Sequence, residues 1–296
     1  MQISGTTTML GLIGTPVSHS KSPAMYNYCF QKYGLDLAYL AFDIPLERTG
    51  EAVAAIRTLK MRGANVTMPC KKAVLPYLDR LTPAARAIGA VNTIVNDNGV
   101  LTGHNTDGCG FTQNLRRSGV EVAGKHIVLL GGGGAGSAIA VQSAIEGAAE
   151  IAVFNLKDSF WPQVEAAMES ARTAAPQCRI TLWDLKDTER LRKAVEEADI
   201  LTNATRVGMA PLDNETNIDP SMFRPDLVVA DTVYAPPKTR MLREAEAAGC
   251  KICDGLGMLL CQGAECFRLY TGLEMPIEEI RGLLYADGEK KDGKNG

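Results

Sequence analysis

The chain has 296 residues, 46% of them hydrophobic and 22% charged, with a formal net charge of −3. That length suits two domains, and the near-neutral balance removes the electrostatic case for nucleic acid or an anionic membrane as partner. No apolar run approaches the roughly 20 residues needed to span a bilayer, and Met1-Gln2-Ile3-Ser4-Gly5-Thr6 lacks the basic and apolar regions of a secretory signal, so cytoplasm is the expected compartment.

The first third alternates strand and helix patterns. Met9–Ile13 reads as a strand, and Ser22-Pro23 opens a helix through Tyr33, with serine as cap and proline at the first helical position. Tyr39–Ile44 reads as a strand, Glu51–Met61 as an amphipathic helix, Ala64–Met68 as a strand and Leu81–Ile88 as a helix. Thr93–Val95 and Val100–Thr102 flank the hairpin signal Asn96-Asp97-Asn98-Gly99, and a helix follows over Asp107–Ser118. Strands at Ile127–Leu130, Ile151–Asn155, Ile180–Trp183, Ile200–Ala204 and Val228–Val233 then alternate with helical patterns, the signature of a doubly wound parallel sheet. Thr239–Ala248, Met258–Tyr270 and Ile277–Tyr285 read as helices, and the lysine- and glycine-rich 286–296 as a flexible tail.

Eight cysteines in a chain this long do not form a disulfide framework, because the core needs no staples. Cys250-Lys251-Ile252-Cys253 has a metal-like spacing, yet His19, His104 and His126 lie far away in sequence, and no metal site is expected.

Two features carry chemistry. Gly131, Gly133 and Gly136 fall in G-x-G-x-x-G register directly after an apolar strand and before a helix of small residues, the context of a dinucleotide site. Polar clusters also gather at the ends of the N-terminal strands: 18–23, 65–71, 90–93 and 103–108. Asn65 and Thr67, two apart, are expected on one strand face, where an amide and a hydroxyl in place of valine or isoleucine imply something polar to hold.

Several segments resemble, in order, the signatures of the shikimate dehydrogenase family. They are His19-Ser20-Lys21-Ser22-Pro23, Asn65-Val66-Thr67-x-Pro69-x-Lys71, Gly89-Ala90-Val91-Asn92-Thr93 and Asn105-Thr106-Asp107-Gly108 in the first part. Gly131-x-Gly133-Gly134-Ala135, Asn203-Ala204-Thr205 with Val207-Gly208-Met209, Asp231-x-Val233-Tyr234, and Asp254-Gly255-Leu256-Gly257-Met258-Leu259 with Gln262 follow. Phe154-Asn155-Leu156-Lys157-Asp158 and the stretch to Leu185 look closest to the quinate/shikimate dehydrogenase branch.

The resemblance implies two α/β domains. An N-terminal substrate domain spans 1–106 and is completed by C-terminal helices over 256–285; a Rossmann-like nucleotide domain spans 107–255. It implies reversible oxidation of a ring hydroxyl of shikimate or quinate, with Lys71 and Asp107 as the catalytic pair. Hydride removal from an alcohol carbon requires a base for the hydroxyl proton, and a lysine serves when burial or a partner tunes it. By the same resemblance Ser20 and Ser22 grip the substrate carboxylate with help from Tyr234, while Asn65, Thr67, Asn92 and Gln262 bond ring hydroxyls. The cofactor side comprises Gly131, Gly132, Gly133, Gly134, Ala135, Asn155, Lys157, Asp158, Arg206, Val233 and Gly255.

Two departures stand out. Many relatives that use the phosphorylated cofactor carry arginine where this chain has Leu156. Leucine cannot pair with a 2′-phosphate, and Asp158 can accept from a free ribose diol, so NAD is the expected preference, with NADP kept open by Lys157 and Arg206. Tyr26 stands where many relatives have histidine. The main expectation is an NAD-preferring quinate/shikimate dehydrogenase. The alternatives are a strict NADP shikimate dehydrogenase of aromatic amino-acid biosynthesis and, in a different class, a non-catalytic module sensing the same ring acids. Oligomeric state is left open, a homodimer included.

Overall fold

The computed structural model describes residues 2–292, with side chains to residue 284. It divides into two compact units, Met1–Thr106 with Gly263–Gly296, and Asp107–Gln262.

In the first unit the elements are β1 (Thr8–Gly14), α1 (Ser22–Lys32), β2 (Leu37–Asp43), α2 (Thr49–Thr58), β3 (Gly63–Val66), α3 (Cys70–Ala73), β4 (Arg80–Leu81), α4 (Pro83–Ile88), β5 (Thr93–Asp97) and β6 (Val100–His104). They build a sheet of order β2-β1-β3-β5-β6-β4. β1 runs parallel to β2 and β3, whereas β5 is antiparallel to both its neighbours. The antiparallel step follows from a tight turn: Asn98 and Gly99 both take positive φ, and Asn96 Oδ1 accepts the Gly99 amide at 2.7 Å. Ile13, Val53, Ile56, Val66, Val74, Ile94 and Leu101 form the core of this part.

In the second unit α5 (Asp107–Arg117) leads to β7 (His126–Leu130), α6 (Gly134–Ile145), β8 (Glu150–Asn155), α7 (Trp161–Ala174), β9 (Arg179–Asp184), α8 (Thr188–Glu197), β10 (Ile200–Asn203), β11 (Val228–Asp231), α9 (Arg240–Ala247) and β12 (Lys251–Cys253). All six strands are parallel, in the order β12-β11-β10-β7-β8-β9. The order reverses between β7 and β10, the switch point at which open α/β sheets bind ligands beyond their strand ends. Near-continuous apolar strands such as Ile127-Val128-Leu129-Leu130 are what burial on both sheet faces demands. Finally α10 (Gly255–Thr271) and α11 (Ile277–Asp292) close the chain, and the division between the units falls inside α10 at Gly263 rather than at residue 256. The tail expected from residue 286 falls on the last turns of α11 and, from 293, outside the described residues.

Several boundaries differ from expectation for local reasons. Ser22 is the first residue of α1 rather than its cap; Lys21 precedes it, and Ser20 Oγ accepts the Ser22 amide at 3.2 Å. Pro83 starts α4 two residues later than predicted, with Thr82 as the cap accepting from the Ala85 amide. β3 ends at Val66, so Thr67 lies one residue beyond the strand, its amide still donating to the Ile13 carbonyl of β1 at 2.8 Å. Among the described residues no helix is long and apolar enough to cross a membrane.

Candidate active site

In the first unit the polar residues at the strand ends converge. Asn65 on β3 is buried; its Oδ1 accepts the Tyr39 phenol of β2 at 2.8 Å. Asn65 Nδ2 faces the Asn92 carbonyl, Thr93 Oγ1 and Cys266 Sγ at 3.2–3.3 Å. Asn92, also buried, accepts the Thr106 amide and the Thr93 hydroxyl on Oδ1, both at 2.9 Å, and donates to Thr106 Oγ1 at 3.0 Å. Burial drives the Tyr39 phenol well above its ordinary pKa; Cys266 reinforces the shift and a hydrogen bond with Ser22 opposes it. A polar chain therefore runs from the start of α1 through β2, β3 and β5 to α10.

Tyr26, the departure on α1, completes this wall. Its ring lies 4.6 Å from that of Tyr39, and its hydroxyl donates to the Gly263 carbonyl at 3.2 Å. A buried hydroxyl must find a partner, and the start of the α10 segment in this unit supplies it. Ser20, Ser22, Thr67 and Lys71 are all half-buried, Lys71 on the short α3 immediately after Thr67 and the Met68-Pro69 turn. The Lys71 carbonyl accepts the Val91 amide at 2.9 Å, which ties α3 to the segment carrying Asn92.

In the second unit the glycine loop leaves β7 at the switch point. Gly131 has φ +90°, and a Cβ on Gly136 would lie 1.9 Å from the Gly131 carbonyl oxygen, so both positions exclude side chains. Gly133 and Gly134 are exposed, and a Cβ there would meet nothing within 4 Å. No side chain caps α6, so its first-turn amides face that open space. An uncapped helix start beside an open glycine cradle fits the pyrophosphate of a dinucleotide. Asn155 Oδ1 accepts the Gly132 amide at 3.0 Å, so this residue shapes the loop.

Beyond β8, Leu156, Lys157 and Asp158 are exposed. Asp158 Oδ1 accepts the Phe160 amide at 2.9 Å ahead of α7, and Lys157 Nζ stands 5.7 Å over the Trp161 ring. Arg206, in the loop after β10, is exposed. Asp231, at the end of β11, organises the neighbouring loops: it accepts from the Val233 amide (2.9 Å), Asn203 Nδ2 (2.9 Å) and Thr239 Oγ1 (2.7 Å). Burial nevertheless pushes its carboxyl up to about 6, against those donors. Val233 is buried and Tyr234 half exposed. A Cβ on Gly255 would lie 2.3 Å from the Val233 carbonyl oxygen. Gln262, half-buried on α10, packs its backbone against Gly110 of α5, and half-buried Asp107 begins that helix.

The structure thus gathers Ser22, Asn65 and Asn92 into one hydrogen-bonded network, with Ser20 beside Ser22. It assigns Tyr234 and Gln262 to the second unit, and divides the expected pair, Lys71 falling in the first unit and Asp107 in the second. Sequence reasoning missed Tyr39, Thr93, Thr106 and Cys266 as members of the network. Thr93 and Thr106 sit inside segments singled out for other residues; Cys266, on an apolar helix face, gives no signal in one dimension.

Comparison with known proteins adds to this geometry. The family description "Shikimate dehydrogenase substrate binding domain" matches residues 12–94, and "Shikimate 5'-dehydrogenase C-terminal domain" matches 255–285. The chain is 46% identical over 285 residues to a shikimate dehydrogenase (NADP(+)) of Listeria innocua, covering 96% of this chain and 98% of that one. A protein of the same name from Streptococcus uberis is 47% identical over 293 residues, covering 98% and 99%. Among solved structures, shikimate 5-dehydrogenase from Listeria monocytogenes in complex with shikimate and NAD superposes with a TM-score of 0.93 at 46% identity, covering 96% of this chain and 98% of that one. Quinate dehydrogenase from Corynebacterium glutamicum in complex with NAD gives 0.85 at 31% identity, covering 95% and 99%.

Proposed function

This chain belongs to the shikimate dehydrogenase family of oxidoreductases, and on that premise we propose that it catalyses the reversible oxidation of one ring hydroxyl of shikimate with NADP(+) as hydride acceptor. The observation that carries this reading is identity of 46–47% over nearly the whole chain to proteins named for that reaction and that cofactor. It favours the strict shikimate enzyme over the quinate branch expected from 154–185, since the quinate dehydrogenase matched is only 31% identical.

When bound, the nicotinamide supplies the hydride acceptor. The chain's residues do the rest. Lys71 takes the proton of the reacting hydroxyl, and Asp107 orients the amine and bonds the same oxygen. Ser20, Ser22 and Tyr234 hold the substrate carboxylate with neutral donors. Asn65, Thr67, Asn92 and Gln262 read the remaining hydroxyls; a site built from such groups rejects a ring lacking one, because its own polar atoms are then left unpaired. Gly131–Ala135 hold the pyrophosphate, with Val233 and Gly255 completing the cofactor side. Asn155 acts through the Gly132 amide.

A second reading, preference for NAD, rests on the adenosine end of this chain. Leu156 offers no cation to a 2′-phosphate and the Asp158 carboxylate repels one, while Lys157 and Arg206, both exposed, supply compensating charge. A Listeria monocytogenes relative has been solved with NAD. Steady-state rates with shikimate and with quinate, each with NADP(+) and NAD, test both readings. Shikimate with NADP(+) is expected to give the largest kcat/KM; a larger value with NAD installs the second reading, and turnover of quinate alone overturns the first.

A further inference from the structure

The segment Asn203-Ala204-Thr205 with Val207-Gly208-Met209, at the end of β10, has no part in the chemistry proposed above. Asn203 is 2% exposed, and both ends of its amide are engaged. Nδ2 donates to Asp231 Oδ1 on β11 at 2.9 Å and to the Val207 carbonyl at 3.0 Å. Oδ1 accepts the Thr205 amide at 3.1 Å and the Thr205 hydroxyl at 2.7 Å. Thr205 Oγ1 in turn accepts the Val207 amide at 3.1 Å and Asn217 Nδ2 at 3.0 Å. Among the described residues, Asn203 is the one strand residue that hydrogen-bonds to 205–207, so a single buried amide sets the shape of that turn. Two close approaches pass this shape on. A Cβ on Gly131 would lie 2.8 Å from Thr205 Cγ2, so Thr205 packs on the first glycine of the loop after β7. Gly208 has φ +103°, and a Cβ there would lie 2.9 Å from Cγ2 of Thr239, the residue whose hydroxyl donates to Asp231 Oδ2. Asp231 Oδ1 also accepts the Val233 amide. The Asn203–Asp231 pair therefore joins the glycine loop to the loops after β10 and β11.

We propose that Asn203 is a positioning residue for the nicotinamide half of the dinucleotide: its amide holds the loops after β10 and β11 in the shape that half requires. The inference rests on the proposed cofactor role of Gly131–Ala135, Leu156–Asp158 and Val233. The sheet order β11-β10-β7-β8 decides which half is concerned. With the pyrophosphate at the end of β7 and the adenosine beyond β8, the ends of β10 and β11 are left for the nicotinamide riboside. Without the Asn203 amide, the Thr205 amide, the Val207 carbonyl and Asp231 each lose a partner, and the turn is free to open toward water.

The test uses the full chain and three variants: Asn203→Ala, Thr205→Val and, as a control on the same strand, Thr202→Val. The Thr202 side chain is buried and its hydroxyl has no partner, so its loss leaves the network intact. Dissociation constants are measured by titration for NADP(+) and for the same molecule without its nicotinamide riboside, ADP carrying a 2′-phosphate. Where the wild type binds NAD the tighter, the pair is NAD and ADP. Asn203→Ala is expected to weaken the dinucleotide about tenfold and the fragment by no more than about twofold. Thr205→Val keeps the contact with Gly131 and removes only a hydroxyl on a half-buried turn. It is expected to weaken the dinucleotide about threefold, again sparing the fragment, and it carries the test should Asn203→Ala fail to fold. Unchanged dinucleotide binding, an equal loss for the fragment, or an equal loss in Thr202→Val overturns the inference. A wild-type protein that binds neither dinucleotide overturns the functional reading with it.

Discussion

The residues that carry the proposed chemistry differ in how far their surroundings commit them. Asn65 and Asn92 are buried, whereas Lys71 is half-buried on a four-residue helix. Lys71→Ala is therefore expected to leave folding intact while lowering kcat/KM by about 100- to 10,000-fold, the range for loss of a general base. Dinucleotide binding, followed by fluorescence, should survive; joint loss of binding and turnover would place Lys71 in the fold rather than the chemistry. Leu156 is 46% exposed, so Leu156→Arg meets no packing constraint. It should move the NADP(+)/NAD ratio of kcat/KM toward NADP(+) by about tenfold or more, the value of a charge-assisted phosphate contact. An unmoved ratio would place the adenosine end elsewhere.

At the scale of elements, the site depends on backbones that come close. α6 begins where the Gly131 carbonyl and the Gly136 Cα meet, and a Cβ at 136 would overlap that oxygen. Gly136→Ala must push α6 away from the end of β7 and is expected to abolish dinucleotide binding, read by titration, with a lowered melting temperature. The loops after β10 and β11 hang on the Asp231 carboxyl. Its pKa of about 6 stands above the ordinary 3.8, so between those values the folded protein holds a proton that the unfolded chain has released. Its contribution to stability is thus present at low pH and is lost as pH rises through about 6. Melts of the wild type and Asp231→Asn across pH 4 to 7 should show a stability difference that moves against the wild type as pH rises. A difference flat in pH would mean that Asp231 titrates as an ordinary carboxyl.

At the scale of the whole molecule, the first unit is discontinuous: residues 1–106 are completed by 263–296. Phe267 stacks 6.0 Å from Phe30, Tyr270 lies against Tyr26, and the Arg62 guanidinium donates to the Tyr270 and Leu269 carbonyls. The second unit, 107–262, keeps its own sheet and core. A chain ended after Gln262 is expected to lose the compact first unit and all turnover while still binding dinucleotide, seen as a reduced far-UV signal with retained nucleotide fluorescence. Full retention of both would show that α10 and α11 are dispensable.

Most of the architecture was legible in the sequence because it rests on periodicity and on glycine. Short apolar runs alternating with helical patterns fit buried parallel strands, and glycines in register after one of them mark a turn where a Cβ has no room. The polar clusters at 18–23, 65–71, 90–93 and 103–108 marked where polar side chains gather at the strand ends of the first sheet. Which of those groups touch one another was decided only by the tertiary fold. Thr67 falls one residue beyond the end of β3, Asp158 Oδ1 is taken up by the Phe160 amide, and Cys266 meets Asn65, Thr93 and Thr106 across separations of 201, 173 and 160 residues. Hydrophobic pattern is a property of neighbours along the chain, whereas hydrogen-bond direction inside a core depends on atoms that only folding brings within 3 Å or so of each other.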